Sequence, residues 1–65
     1  MSKLTDREVQ IVQFMADGLD GPQIAKELGM SVSTIRVHLT NIRNKSGMDT
    51  SVAAVAWCLR NGVID

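Results

Sequence analysis

The sharpest sorting of apolar from polar positions lies in residues 31–45, SVSTIRVHLTNIRNK. On a helix of 3.6 residues per turn, Ile35, Leu39 and Ile42 fall within roughly a quarter-turn of one another. That stripe is made to pack. Ser33, Arg36, Val37, Thr40 and Asn44 gather on the far side, within an arc of about 100°. The outer arc carries a cation, hydroxyls, an amide and a bare valine. Hydration explains everything there except the valine, which a base edge with a thymine methyl would suit. The competing explanation for Val37 is an exposed apolar residue of no consequence. Arg43 lies nearer the edge of the arc and reads as a solvated charge.

Three further helical patterns surround this one. Thr5 and Glu8 have the spacing of a capping box, with Leu4 and Val9 placed to close a hydrophobic staple. Val9, Ile11, Val12, Met15 and Ala16 then give a helix that is apolar over much of its girth, ended by Asp17 and Gly18. Asp20, Pro22 and Gln23 open a second helix whose Ile24, Ala25 and Leu28 point inward, and Gly29 ends it in a left-handed conformation. Asp49 or Thr50 caps a fourth helix, with Val52, Val55, Ala56 and Leu59 as its inward stripe. Ala53 and Trp57 lie off that stripe and suit contact with a second helix; Trp57 folding back over its own core is the alternative. Residues 1–4 read as an arm and residues 63–65 as a tail. The expected helices are 6–17, 21–28, 32–46 and 50–60, an all-α domain. A helix, a short glycine turn and a second helix beginning with a serine cap form a helix-turn-helix pattern, which a plain antiparallel pair could share.

Composition narrows the setting. Sixty-five residues with 45% apolar content make one small domain, with a single Phe and a single Trp to anchor its core. Lone Cys58 permits no internal disulfide and fits a reducing cytoplasm. No apolar run is long enough to span a membrane and no signal peptide is visible. The net charge is zero and the pI near 6.5, low for a nucleic-acid binder. The distribution matters more: residues 31–48 hold Arg36, Arg43 and Lys45 without an acid, while the remainder holds four cations against seven acids. The basic part and the outer arc coincide.

Candidate chemistry of other kinds is thin. Glu8 has no carboxylate or His at a spacing suited to acid–base catalysis. His38 falls opposite the outer arc, where a structural hydrogen bond suits it better than a metal, since no Cys, His or acid cluster joins it. No enzyme, metal site or cofactor is expected. Met30 and Met48 flank the central helix as gap fillers.

Leu4, Thr5, Arg7, Glu8, Gly18, Ile24, Ala25, Leu28, Ser31, Thr34, Ile35, His38, Ile42, Lys45 and Gly47 together resemble the LuxR/FixJ/GerE-type DNA-binding domain over nearly the whole chain. The resemblance implies a four-helix fold, a third helix in the DNA major groove and a fourth that often pairs two copies. Carried over by position, Arg36, Val37 and Thr40 would read bases, and Ser33, Thr34, Asn44 and Lys45 would contact the backbone. Three departures stand out. Ser46 occupies a position usually Leu, Ser51 one near which the family commonly has a basic residue, and Gly21 and Pro22 replace polar or basic residues. Each of the last two removes a potential phosphate contact, so weakened affinity is one expectation.

The reading is a bacterial or phage cytoplasmic transcription regulator that binds double-stranded DNA, free-standing or excised from a larger regulator. Only three residues precede Leu4, so no sensor is expected within this chain. A rival reading keeps the fold as an interaction module that pairs with a full-length regulator through Ala53 and Trp57, as a homodimer or heterodimer partner.

Overall fold

The structure, a computed structural model, describes residues 3–65. Four helices follow in order: α1 Asp6–Ala16, α2 Gly21–Leu28, α3 Val32–Ser46 and α4 Ser51–Arg60. There is no strand among the described residues. The spans differ from the expected ones by a residue at the end of α1 and at the start of α4.

Each helix starts on a side chain that satisfies an orphan backbone N–H. Thr5 and Glu8 close a reciprocal box at the head of α1, and Asp20 and Gln23 close another at the head of α2. Ser31 accepts from the Thr34 N–H to begin α3, and Thr50, rather than Asp49, accepts from the Ala53 N–H to begin α4. The helices also share one way of stopping. Gly18, Gly29, Gly47 and Gly62 all have positive φ. In each case the glycine N–H and the next residue's N–H reach back to two carbonyls of the last turn, as Gly47 does to Asn44 and Met48 to Arg43. This is the Schellman arrangement. An L side chain in that conformation would cost roughly 1–2 kcal/mol, and Gly29 needs it because the turn between α2 and α3 is so short. The residue after each glycine is apolar: Leu19, Met30, Met48 and Val63, all packed against the core. The gap-filling methionines are thus the apolar halves of helix stops.

The core is aliphatic. Ile11, Ile24, Ile35 and Ile42 are its largest fully enclosed side chains apart from Val12 and Cys58, whereas Phe14 and Trp57 only pack against its margin. The aromatic anchoring expected from composition is not what closes this core. α3 makes its main contacts with α2 and α4, and α1 lies across all three. Ser46, the polar departure in the apolar stripe, is buried and donates its hydroxyl to the Arg43 carbonyl, so it carries no unsatisfied polar group.

Two expectations are overturned here. Of the four residues foreseen as the inward stripe of α4, two point outward, Val52 at 80% exposed and Leu59 at 46%, while Val55 and Ala56 are half-buried, Val55 against the core. Ala54 and Cys58, on the other side of the helix, are buried instead. α4 approaches α1 and α3 closely, and small side chains permit that approach. The other concerns the ends of the chain. Ile64 is buried, so the tail packs into the core, and so does Leu4 from the expected arm; the first two residues of that arm lie outside the described residues.

Candidate nucleic-acid interface

The outer face of α3 is exposed along its length: Ser33, Thr34, Arg36, Val37, Thr40, Asn41 and Asn44 all meet solvent. Val37 is 60% exposed, beside Arg36 on the middle turns. Among the described residues the Arg36 guanidinium has neither an ion pair nor a hydrogen bond, so its planar fork of donors is uncommitted. Aliphatic packing of Ile35 and Ile42 below holds the backbone beneath these two side chains in place. The face is therefore a rigid helix surface presenting one free guanidinium beside one apolar contact.

Its neighbours are more committed than the sequence suggests. Thr40 donates its hydroxyl to the Arg36 carbonyl at 3.0 Å and accepts from Arg43 Nη2 at 3.2 Å. What Thr40 can offer a ligand is its methyl and a remaining lone pair. The Thr34 and Ser31 hydroxyls are hydrogen-bonded to each other at 2.8 Å at the N-terminal end of α3. The Ser33 and Asn44 side chains, at the two ends of α3, have no hydrogen bond among the described residues. The arrangement orders the face: a free cation and methyl surface at its centre, locally bonded hydroxyls around them.

Lys45 has a different place from the one foreseen. Its ammonium lies 2.7 Å from Glu8 Oε1, with the lysine side chain 25% exposed and the glutamate 3%. The same oxygen accepts the Thr5 backbone N–H at 2.7 Å, so the first turn of α1 and the last turn of α3 meet on one carboxylate. Burial pushes the Glu8 carboxyl up, but hydrogen bonds from Lys45 and from the Thr5 backbone and hydroxyl, with the lysine charge, outweigh it. The net effect holds the carboxyl below its ordinary value. A carboxylate so enclosed needs its counter-charge, which is why Lys45 turns inward rather than out to a phosphate. The residue missed from the sequence is Glu8, which reads there only as a local cap; nothing in its spacing announces a partner beyond its own helix.

His38 is half-buried and its imidazole has no hydrogen bond among the described residues, so the side-chain bond expected beneath α3 is absent. Trp57 is half-buried and lines a cleft with Leu4, Val9 and Val63, which is the fold-back alternative. Ala53 is half-buried beside it. No group of His, Cys, Asp and Glu among the described residues is placed to hold a metal.

The luxR family of bacterial regulatory proteins is matched over residues 2–58. The chain belongs to that family. It is a LuxR-type helix-turn-helix DNA-binding domain, α2 and α3 forming the motif. Among its relatives, the transcriptional regulatory protein YdfI of Bacillus subtilis (strain 168) is 35% identical over 97% of this chain and 30% of its own length. The nitrate/nitrite response regulator protein NarP of Escherichia coli (strain K12) is 40% identical over 91% of this chain and 27% of its own. The crystal structure of the response regulator ChrA, of a heme-sensing two-component system, superposes with a TM-score of 0.93 at 33% identity. That match covers 98% of this chain and 32% of ChrA. The LuxR-type domain thus spans under a third of the length of these relatives.

No helix among the described residues is long and apolar enough to cross a membrane.

Proposed function

We propose that the chain is a sequence-specific double-stranded DNA-binding module of a bacterial transcription regulator, and that α3 enters the major groove. The observation that carries this is the pairing of an uncommitted Arg36 with an exposed Val37 on the outer face of a rigidly packed helix. A guanidinium can fork onto guanine O6 and N7, and the valine can meet a thymine methyl on the neighbouring base pair. Thr40 joins them through its methyl or remaining lone pair, while Ser33, Thr34 and Asn44 fix register through phosphates. Lys45 contributes little, its charge being neutralised by Glu8.

The test is binding-site selection from random duplexes followed by anisotropy titration. The wild-type chain is expected to enrich a motif containing guanine, and Arg36→Ala to lose roughly 1–3 kcal/mol of discrimination at one position. An Arg36→Ala chain that keeps the full wild-type preference for the selected over the scrambled duplex would sink the base-reading role.

A second reading is favoured by α4. Its exposed Val52 and Leu59, with half-buried Val55 and Ala56 on either side, form an apolar stripe suited to a second copy of this chain or to a longer regulator of the same family. We place the partner contact there, with Ala53 and Trp57 at its edge rather than its centre. Sedimentation of wild type and Leu59→Glu at high concentration tests the pairing of two copies: a dimer lost on substitution supports it, and identical monomers remove it.

A further inference from the structure

We infer that Arg43 is a DNA-phosphate contact of this domain, held in position by Thr40 and Ser51. The inference rests on the reading that α3 enters the groove. Arg43 follows Arg36 by one heptad, which on a straight helix displaces it by only about 20°. It therefore borders the reading arc on the side facing α4. A helix with its side chains is about 10–12 Å across and the B-DNA major groove about 12 Å wide, so the helix fills the groove. Residues at the border of the arc then meet the phosphate walls rather than the base edges.

The guanidinium is built into that border. Arg43 Nη1 donates to Ser51 Oγ at 3.3 Å, and Nη2 donates to Thr40 Oγ1 at 3.2 Å. The two hydroxyls come from different elements, the outer face of α3 and the first residue of α4. Together they fix a long side chain that would otherwise sample many rotamers. Both partners are neutral, and no acid pairs with Arg43 among the described residues. Of its five N–H donors, three remain for an incoming anion. The contrast with Lys45 is direct: there the positive charge is spent on a carboxylate, whereas here it is oriented and left unneutralised. Ser51, which in the sequence reads as a lost phosphate contact, is the acceptor that brings a cation to the start of α4.

Anisotropy titrations of the full 65-residue chain, with one selected and one scrambled duplex across a salt series, test this. Arg43→Ala should weaken binding to both duplexes equally, by roughly tenfold, and make the dependence of log K on log salt shallower by about one phosphate contact. Arg43→Lys should keep the wild-type salt dependence. Ser51→Ala should weaken binding by less than Arg43→Ala with that dependence retained, because the charge stays and only its position loosens. Circular dichroism of each variant separates lost contacts from lost fold. Wild-type affinity and salt dependence in a folded Arg43→Ala, while Arg36→Ala loses discrimination, would overturn the inference and leave the groove reading standing. Failure of the wild-type chain to bind either duplex at low salt would overturn both.

Discussion

α3 and α4 are neighbours in the chain and in space, yet they treat their apolar residues in opposite ways. α3 buries the stripe that periodicity picks out, Ile35 and Ile42, and shows solvent a polar face interrupted by Val37. α4 buries Ala54 and Cys58, keeps Val55 half-buried and turns Val52 and Leu59 outward. Strong polar opposition settles the orientation of α3. α4 is apolar at every position except its first and last, Ser51 and Arg60, so periodicity barely distinguishes its sides. Close approach decides instead, and small residues win the inner face. The side facing outward then carries more apolar surface than a solvated helix needs, and that surplus is the physical reason to look for a partner there.

Substitutions can break this comparison directly. Ile35→Ala should destabilise the fold by about 2–5 kcal/mol, because it opens a cavity under α3. Val52→Ala should stay within about 0.5 kcal/mol in the monomer. Urea melts measure both, and comparable losses would mean that α4 is not oriented as described.

The second prediction concerns what ties α3 to the rest of the fold. Glu8→Gln removes the counter-charge of Lys45 and should cost about 3 kcal/mol at neutral pH. Because the folded-state carboxyl is held below its unfolded value, its stabilisation is complete above the ordinary glutamate range. It drains away as the pH falls through the lowered folded value. Wild type and Glu8→Gln should therefore converge in stability on acidification, and parallel stability–pH curves would contradict the assignment.

A smaller destabilisation is expected on the inner face of α4. Ala54→Leu places extra volume in the tight inner face and should cost about 1–3 kcal/mol, although leucine is the better match to an apolar stripe. A stabilised variant would show that the inner face has room and that its small residues were not chosen by close approach.

How much of this was legible in the residues follows from the range of the interactions. Thr5 with Glu8, Asp20 with Gln23, and the glycines at 18, 29 and 47 act within a turn or so of their own positions, and sequence exposes them. The outer arc of α3 is legible for the same reason, since a helix places residues by angle alone. Three features are not. The Glu8–Lys45 pair joins residues 37 positions apart. The orientation of α4 depends on which neighbours it meets. The Thr40–Arg43–Ser51 arrangement crosses from one helix to the next, so Arg43 looks like a free surface charge until the two helices are seen together.

The central claim is that the outer face of α3 is the surface that meets DNA. The most direct test is an amide NMR titration of the chain with a DNA duplex, started at low salt and repeated as salt is raised. Shifts are expected at Ser33, Arg36, Val37, Thr40, Arg43 and Asn44, fading as salt increases, with Val52 and Leu59 unmoved by the DNA contact itself. A silent α3 at saturating DNA, or shifts confined to α4, would contradict it.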